Sequence, residues 1–289
     1  MLVVISCDDN DNGNNSEDIN DFATTPEEVV EKLEMYINAQ NMNGVLSLYN
    51  GAAVFVDQPE GAPKVGFSAI REGYQGFFDL GGQSDIQIRN VIQSGNLALV
   101  IVDWTFSGID SDGNSFEFGA TGTDVLQQDE GGNYWLYSID NAFGVARPDS
   151  NTGFTQAENS AASTAELEVL VENLEMYINT RNMDGILSLY NEEAVFVDQP
   201  EGEPKVGFDA IREGYQGFFD LGGQSDIQVR NVIQSGNIAL VIVDWTYTGI
   251  DSDGNSFEFG ATGTDVLQQG EDGNWLYRID NAFGIARAN

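Results

Sequence analysis

The chain has 289 residues, with 11 basic against 47 acidic side chains, no histidine and a single cysteine. That length supports two domains of ordinary size, each able to bury its own core, and a net charge of −36 excludes nucleic acid as a partner because it repels phosphate backbones. Without histidine, and with one cysteine, the commonest general base, the usual zinc sites and any internal disulfide are excluded too; no metal and no cofactor are expected, and acid–base chemistry falls to Asp, Glu, Tyr or Lys.

The chain opens on an apolar run, Leu2-Val3-Val4-Ile5-Ser6-Cys7, followed by the polar tract Asp8-Asp9-Asn10-Asp11-Asn12-Gly13. Val4-Ile5-Ser6-Cys7 resembles a bacterial lipobox, so residues 1–23 read as a leader and acidic tether with Cys7 as the lipidation site. That implies a lipid anchor in the cell envelope, periplasmic or at the surface. The alternative is a frayed tail with an unmodified thiol, and then the location is not legible. No Lys or Arg precedes the run, and it is shorter than a usual signal core.

Thr25-Pro26-Glu27-Glu28 predicts a capped helix start, and Val29, Leu33, Tyr36 and Ile37 follow helical spacing behind it. A short helix is expected over residues 44–49 and a strand over 53–57, broken by Gln58-Pro59-Glu60-Gly61. Phe67, Ile70, Tyr74, Phe77 and Phe78 mark another amphipathic helix. Strands are then expected over 86–94, 97–107, 116–128 and 134–146 as an antiparallel meander. The strand over 97–107 is apolar on both parities and should be covered on both faces. Asp110-Ser111-Asp112-Gly113-Asn114 reads as a hairpin turn, since the rest of a calcium loop is missing.

The chain then repeats itself. Leu33-Glu34-Met35-Tyr36-Ile37-Asn38 returns as Leu174-Glu175-Met176-Tyr177-Ile178-Asn179, and Val54-Phe55-Val56-Asp57-Gln58-Pro59 as Val195-Phe196-Val197-Asp198-Gln199-Pro200. Near the end one residue is lost, so Asp140-Asn141 matches Asp280-Asn281. The organisation is a first domain over 24–148, a linker over 149–163 and a second domain over 164–289, whose helix should start at Ser163-Thr164-Ala165-Glu166. Helices followed by a long sheet give an α+β fold in each copy.

The stretch Gly44-Val45-Leu46-Ser47-Leu48-Tyr49, then Val54 to Asp57, then Gly66-Phe67-Ser68-Ala69-Ile70-Arg71-Glu72-Gly73-Tyr74, resembles the SnoaL-like and ketosteroid isomerase-like proteins of the nuclear transport factor 2-like superfamily. The second copy fits equally. The resemblance implies two cystatin-like cone folds in tandem, each with helices packed on a curved antiparallel sheet around a conical pocket. It places Asp57 and Asp198 where the isomerase has its carboxylate base. Asp124 and Asp265 fall where it has a protonated acid facing the enolate oxygen, and Tyr74 and Tyr215 match a supporting tyrosine. The isomerase's first-helix tyrosine is replaced by Leu33 and Leu174, with Tyr36 and Tyr177 three residues on.

Each candidate also has a plain structural reading. Asp57 can cap a turn, Asp124 can pair within the sheet, Asn141 and Asn281 can satisfy a sheet edge, and Tyr36 can be core. Strand parity groups Trp135, Tyr137, Ile139, Asn141 and Phe143 on the pocket face and turns Asp140 away; Phe283 follows Phe143. Trp104 and Trp245 face the pocket, while Asp103 and Asp140 fall to sheet or interface networks, with Arg147 or Arg278 as partners across the two copies. The expected partner is a small apolar ligand. The alternatives are an isomerase or lyase that uses an Asp base on a carbonyl compound, and a non-catalytic interaction module with filled pockets. Fusing the copies would build a pseudo-dimer within one chain.

Overall fold

The computed structural model describes residues 22–59, 63–145, 161–251 and 253–287. The leader with Cys7, Arg147 and most of the expected linker lie outside them. Among the described residues no helix is long and apolar enough to cross a membrane.

The first half runs α1 (Pro26–Asn38), α2 (Met42–Ser47), β1 (Tyr49–Val56), β2 (Lys64–Val65), α3 (Gly66–Leu80), β3 (Gln83–Ser94), β4 (Leu97–Ile109), β5 (Ser115–Gln128) and β6 (Trp135–Asn141). The second repeats this order as α4 (Ala161–Asn179), α5 (Met183–Leu187), β7 (Tyr190–Val197), β8 (Lys205–Val206), α6 (Phe208–Leu221), β9 (Gln224–Ser235), β10 (Ile238–Ile250), β11 (Ser256–Gln269) and β12 (Trp275–Asn281). Each half has a six-stranded sheet in the order β2-β1-β6-β5-β4-β3, or its equivalent. The sheet is mixed, where an antiparallel one was expected. β1 pairs with β6 in parallel, because the chain leaves β1 through α3 and returns only after the meander has run its length.

Local chemistry sets the helix ends. Thr25 caps α1, its Oγ1 accepting the Glu28 N–H at 3.2 Å. Glu28 reaches back to Thr24 N–H at 2.6 Å and Thr24 Oγ1 at 2.9 Å, one residue ahead of the cap. α4 starts at Ala161, inside the stretch read as linker and ahead of the expected start at Ser163. Alanine favours helix and no proline fixes the start here, so the helix runs on toward its N-terminus. Gly81 closes α3 at a φ of 71°, a left-handed conformation that costs glycine nothing. The Asp110 turn is a hairpin turn, as its spacing predicts: Asp110 Oδ1 accepts the N–H groups of Asp112 and Asn114 at 3.0 and 2.8 Å.

β4 is buried on both parities, as its composition predicts. Ala98, Val100, Val102, Trp104 and Phe106 turn toward the helices of their own domain. Leu97 and Leu99 turn the other way, into a third core shared by the two halves. That core combines Val54, Val56, Ile92, Val125 and Ile139 with Val195, Val197, Ile233, Leu240, Ile242, Val266 and Ile279. The two sheets therefore pack against each other within one chain.

Polar ties rim the shared core. A β-bulge at Arg89 leaves that residue without a partner on β4, between Ile88↔Val102 and Asn90↔Ile101. Its guanidinium grips Asp103, donates to Thr121 Oγ1 at 3.1 Å and reaches Ile285 O of the other half at 2.7 Å. Arg230 repeats this on Asp244 and Val145 O. Arg287 bridges to Asp103 at 2.9 Å. Burial works to raise the Asp103 pKa, but bonds from Thr121 and Arg89 outweigh it and the pKa is lowered. Asp103 thus sits in an interface network as expected, and its partner across the halves is Arg287.

Candidate functional site

Each domain encloses a cavity of about 50 Å³ between its helices and the concave face of its sheet. In the first domain Leu33 and Ile37 come from α1, Tyr74 and Phe77 from α3, Phe55 from β1, and Val102, Trp104 and Phe106 from β4. Two carboxyl groups, Asp124 and Asp140, also line it, with Ser84, Ile86, Tyr137 and Ala142. The second domain matches residue for residue, with Asp265 and Asp280, except that Tyr247 replaces Phe106. Tyr247 donates to Phe218 O and accepts the Gly223 N–H at 3.0 Å.

Aromatic rings pack the cavity wall. Phe55 stacks on Tyr74 with centroids 4.9 Å apart, and Phe77 meets the edges of Trp104 and Phe106 at 6.2 and 5.2 Å. α3 lies this close to β1 because Gly73 faces Phe55: a Cβ there would come within 2.6 Å of the ring. Trp104 Nε1 donates to Ala142 O at 2.6 Å, which satisfies its polar edge and leaves its face to the cavity.

The polar end is built by β5, β6 and two tyrosines. Tyr49 and Tyr74 both donate to Asp140 Oδ2, Tyr74 at 2.9 Å, and their hydroxyls lie 2.7 Å from each other. Neither bond engages Oδ1. Burial pushes the Asp140 pKa up, the two hydroxyl bonds pull it down and the charge of Asp57 raises it again, leaving it at about 6. Asp124 Oδ1 accepts the Asn141 N–H at 2.9 Å. Burial, then the charge of Asp140, drives the Asp124 pKa well above the usual carboxylate range. Burial also raises Tyr49, Tyr74 and Tyr137, so they stay neutral. Burial thus favours the neutral form of Asp124, while the two tyrosine hydroxyls favour the charged form of Asp140. Asp265 and Asp280 reproduce this, with Tyr190 and Tyr215 on Asp280.

The sequence-derived candidates divide. Asp124, Asp265, Tyr74, Tyr215, Trp104 and Trp245 line the cavities. Asp57 and Asp198 do not: they follow the last strand residue and pair with Lys64 and Lys205 at 2.8 and 2.7 Å. Phe55 and Phe196 take the last inward positions on their strands. Tyr36 packs over α2, where a Cβ on Gly44 would lie 2.4 Å from its ring; Tyr177 covers Gly185 in the same way. Asn141 is buried but structural, its Nδ2 bridging Thr123 Oγ1 and Gly144 O, each at 2.9 Å, and Asn281 repeats the bridge. Phe143 and Phe283 sit edge-on to Trp104 and Trp245 at 5.5 Å, outside the lining.

Asp140 is the main correction, since parity turned it away from the cavity. Leu126 pairs with Tyr137 and Val125 with Ile139, so Ser138 is an extra residue in β6. This bulge flips the strand's parity. Tyr137 faces the domain core, Ile139 the shared core and Asp140 the cavity. Sequence reasoning also missed Tyr49 and Tyr190. One signal was available: a carboxylate inside an apolar strand needs a partner, and that holds for Asp140 as much as for Asp124.

Residues 30–135 and 171–278 each match the family model described as SnoaL-like domain. No curated protein matches the chain significantly. Among solved structures, a ketosteroid isomerase-like protein from Erwinia carotovora atroseptica is 19% identical, with 44% of this chain and 98% of that one covered and a TM-score of 0.39. A nuclear transport factor 2-like superfamily protein from Salmonella enterica serovar Typhimurium is 17% identical, covering 45% and 96%, with a TM-score of 0.37.

Proposed function

Because the chain belongs to the SnoaL-like domain family, we propose that each of its two domains binds a small, largely apolar molecule carrying one hydrogen-bond acceptor. The observation that carries this reading is the pair of buried carboxyl groups, Asp124 and Asp140 (Asp265 and Asp280 in the second domain), lining an aromatic cavity, where burial favours the neutral form of Asp124. A neutral carboxylic acid in a dry site donates a strong hydrogen bond without bringing charge. The free space of about 50 Å³ is well below the roughly 300–1,000 Å³ of pockets for drug-sized ligands. A ligand of a few heavy atoms, such as a small cyclic ketone, suits it better than a polycyclic one.

Trp104 and Trp245 report occupancy. Cyclopentanone titrated against tryptophan fluorescence is expected to saturate two sites per chain. Asp124→Ala with Asp265→Ala is expected to weaken binding about tenfold or more, the scale of one hydrogen bond to a buried partner. Absence of saturable binding by the wild type would leave the filled-pocket interaction module as the better description.

The contrast between Asp124 and Asp140 favours a second reading, an isomerase or lyase acting on a carbonyl compound. In that reading Asp140, not Asp57, takes the proton next to the carbonyl, and Asp124 holds the developing enolate oxygen. Its test is deuterium exchange into the α-position of the bound ketone, followed by NMR in D2O. Exchange should fall by at least about 100-fold in Asp140→Asn with Asp280→Asn. Binding without exchange in the wild type leaves the binder and removes the enzyme.

A further inference from the structure

The two halves differ in a polar contact on the seam between them. In the second half Arg278, the bulged residue of β12, reaches across the seam. Its Nη2 donates to Ser94 O at 3.0 Å, its Nη1 to Gln268 Oε1 at 2.6 Å and its Nε to Ser94 Oγ at 3.4 Å. One guanidinium is thus held by three acceptors, two from the other domain.

In the first half the acceptors recur but the arginine does not. Gln127 corresponds to Gln268, and Ser235 to Ser94. The serines are even held alike: Ser94 Oγ donates to Glu193 O at 3.1 Å, and Ser235 Oγ to Ala52 O at 3.0 Å. The counterpart of Arg278 is Ser138, whose Oγ accepts from Asn50 Nδ2 at 2.7 Å. A cavity of about 620 Å³ runs alongside, bordered by Gln127 and Ser235 and flanked by Asp129 and Glu130, with Ser138 fully buried at its edge. The charges around it differ from those around Arg278: Asp129 and Glu130 rim the cavity, Asp129 holding the N–H groups of its own turn, while Glu193, which lies in the field of Arg278, has Ala52 as its counterpart here.

We propose that this seam cavity binds a small molecule carrying a guanidinium group, seated on Gln127 Oε1, Ser235 O and Ser235 Oγ as Arg278 is seated on their counterparts. A planar fork of N–H donors fits three acceptors fixed in space, while an ammonium presents a compact charge without that plane. The site is separate from the two aromatic cavities and independent of what they bind.

The probe is agmatine, titrated into the full chain by calorimetry at low salt. The expected result is one saturable site per chain, with putrescine, which lacks the fork, at least about tenfold weaker. Ser138→Arg supplies the side chain that fills the matching place in the second half, and should cost about tenfold or more in agmatine affinity. Arg278→Ser should raise the stoichiometry to two. Should Ser138→Arg not fold, Gln127→Leu removes one acceptor and should weaken binding in the same way. The proposal is overturned by no saturable binding to the wild type at millimolar agmatine, by equal affinity for agmatine and putrescine, or by unchanged binding in the folded variant. The last two results would mean diffuse attraction of any cation to an acidic protein.

Discussion

Leu99→Ala is expected to cost about 2–5 kcal/mol of unfolding stability, and Leu240→Ala the same, the usual range for a large side chain removed from a packed core. Both leucines are fully buried, yet neither faces its own helices. They are covered by the other domain's sheet. Each domain has a separate core beneath its helices, so the seam can fail while both domains stay folded. While the shared core is intact it couples the two domains, so the wild type is expected to unfold in one cooperative step. Leu240→Asp, which places a carboxylate in the shared core, is expected to split that step into two transitions. Urea unfolding followed by both fluorescence and circular dichroism reads either outcome. A Leu99→Ala variant within about 0.5 kcal/mol of wild type, the range of an ordinary surface change, would mean that the sheets share no core.

Stability is expected to fall as pH rises from about 4 to 7, opposite to the usual carboxylate behaviour. Asp140 and Asp280 titrate at about 6 in the folded chain, against about 3.9 when unfolded. Between those values the folded state holds protons that the unfolded state has lost, so raising the pH favours unfolding. The difference amounts to about 3 kcal/mol per domain. Asp124 and Asp265 are raised as well, by burial first, and act in the same direction. Asp103 and Asp110 have lowered pKa values; their contribution is lost as the pH drops below about 4. The maximum should then lie near pH 4–5. Melting temperatures from pH 4.5 to 7.5 give the slope, and Asp140→Asn with Asp280→Asn should flatten it and raise stability at pH 7. Amide oxygens can still accept the tyrosine hydroxyls. A wild type that gains stability across this range would contradict the burial of these carboxyl groups.

Periodicity reached most of this fold and only part of its site. Helical spacing identified the faces of α1 and α3, because those stripes repeat over several turns. The double parity of β4 announced a strand covered on both faces, and the shared core is what covers it. Two single residues escaped. Arg89 and Ser138 are bulges, and a bulge leaves no mark in an alternation of apolar residues while reversing every side chain after it. Reading β6 as regular therefore sent Asp140 outward and drew Asn141 and Phe143 into the cavity. Asp57 failed for another reason. It keeps the inward parity of Phe55, but the strand ends at Val56 and Lys64 on the neighbouring strand is within reach.

A homodimer assembled from two identical chains must accept every substitution twice, once on each side of its axis. Here the two sides are encoded separately. Arg278 has Ser138 as its counterpart, Tyr247 has Phe106, and Glu193 has Ala52. Each is a change that one side could accept without the other having to tolerate it. Covalent fusion thus turns an obligate symmetry into an optional one, and one lobe can keep an ancestral contact while its twin acquires another.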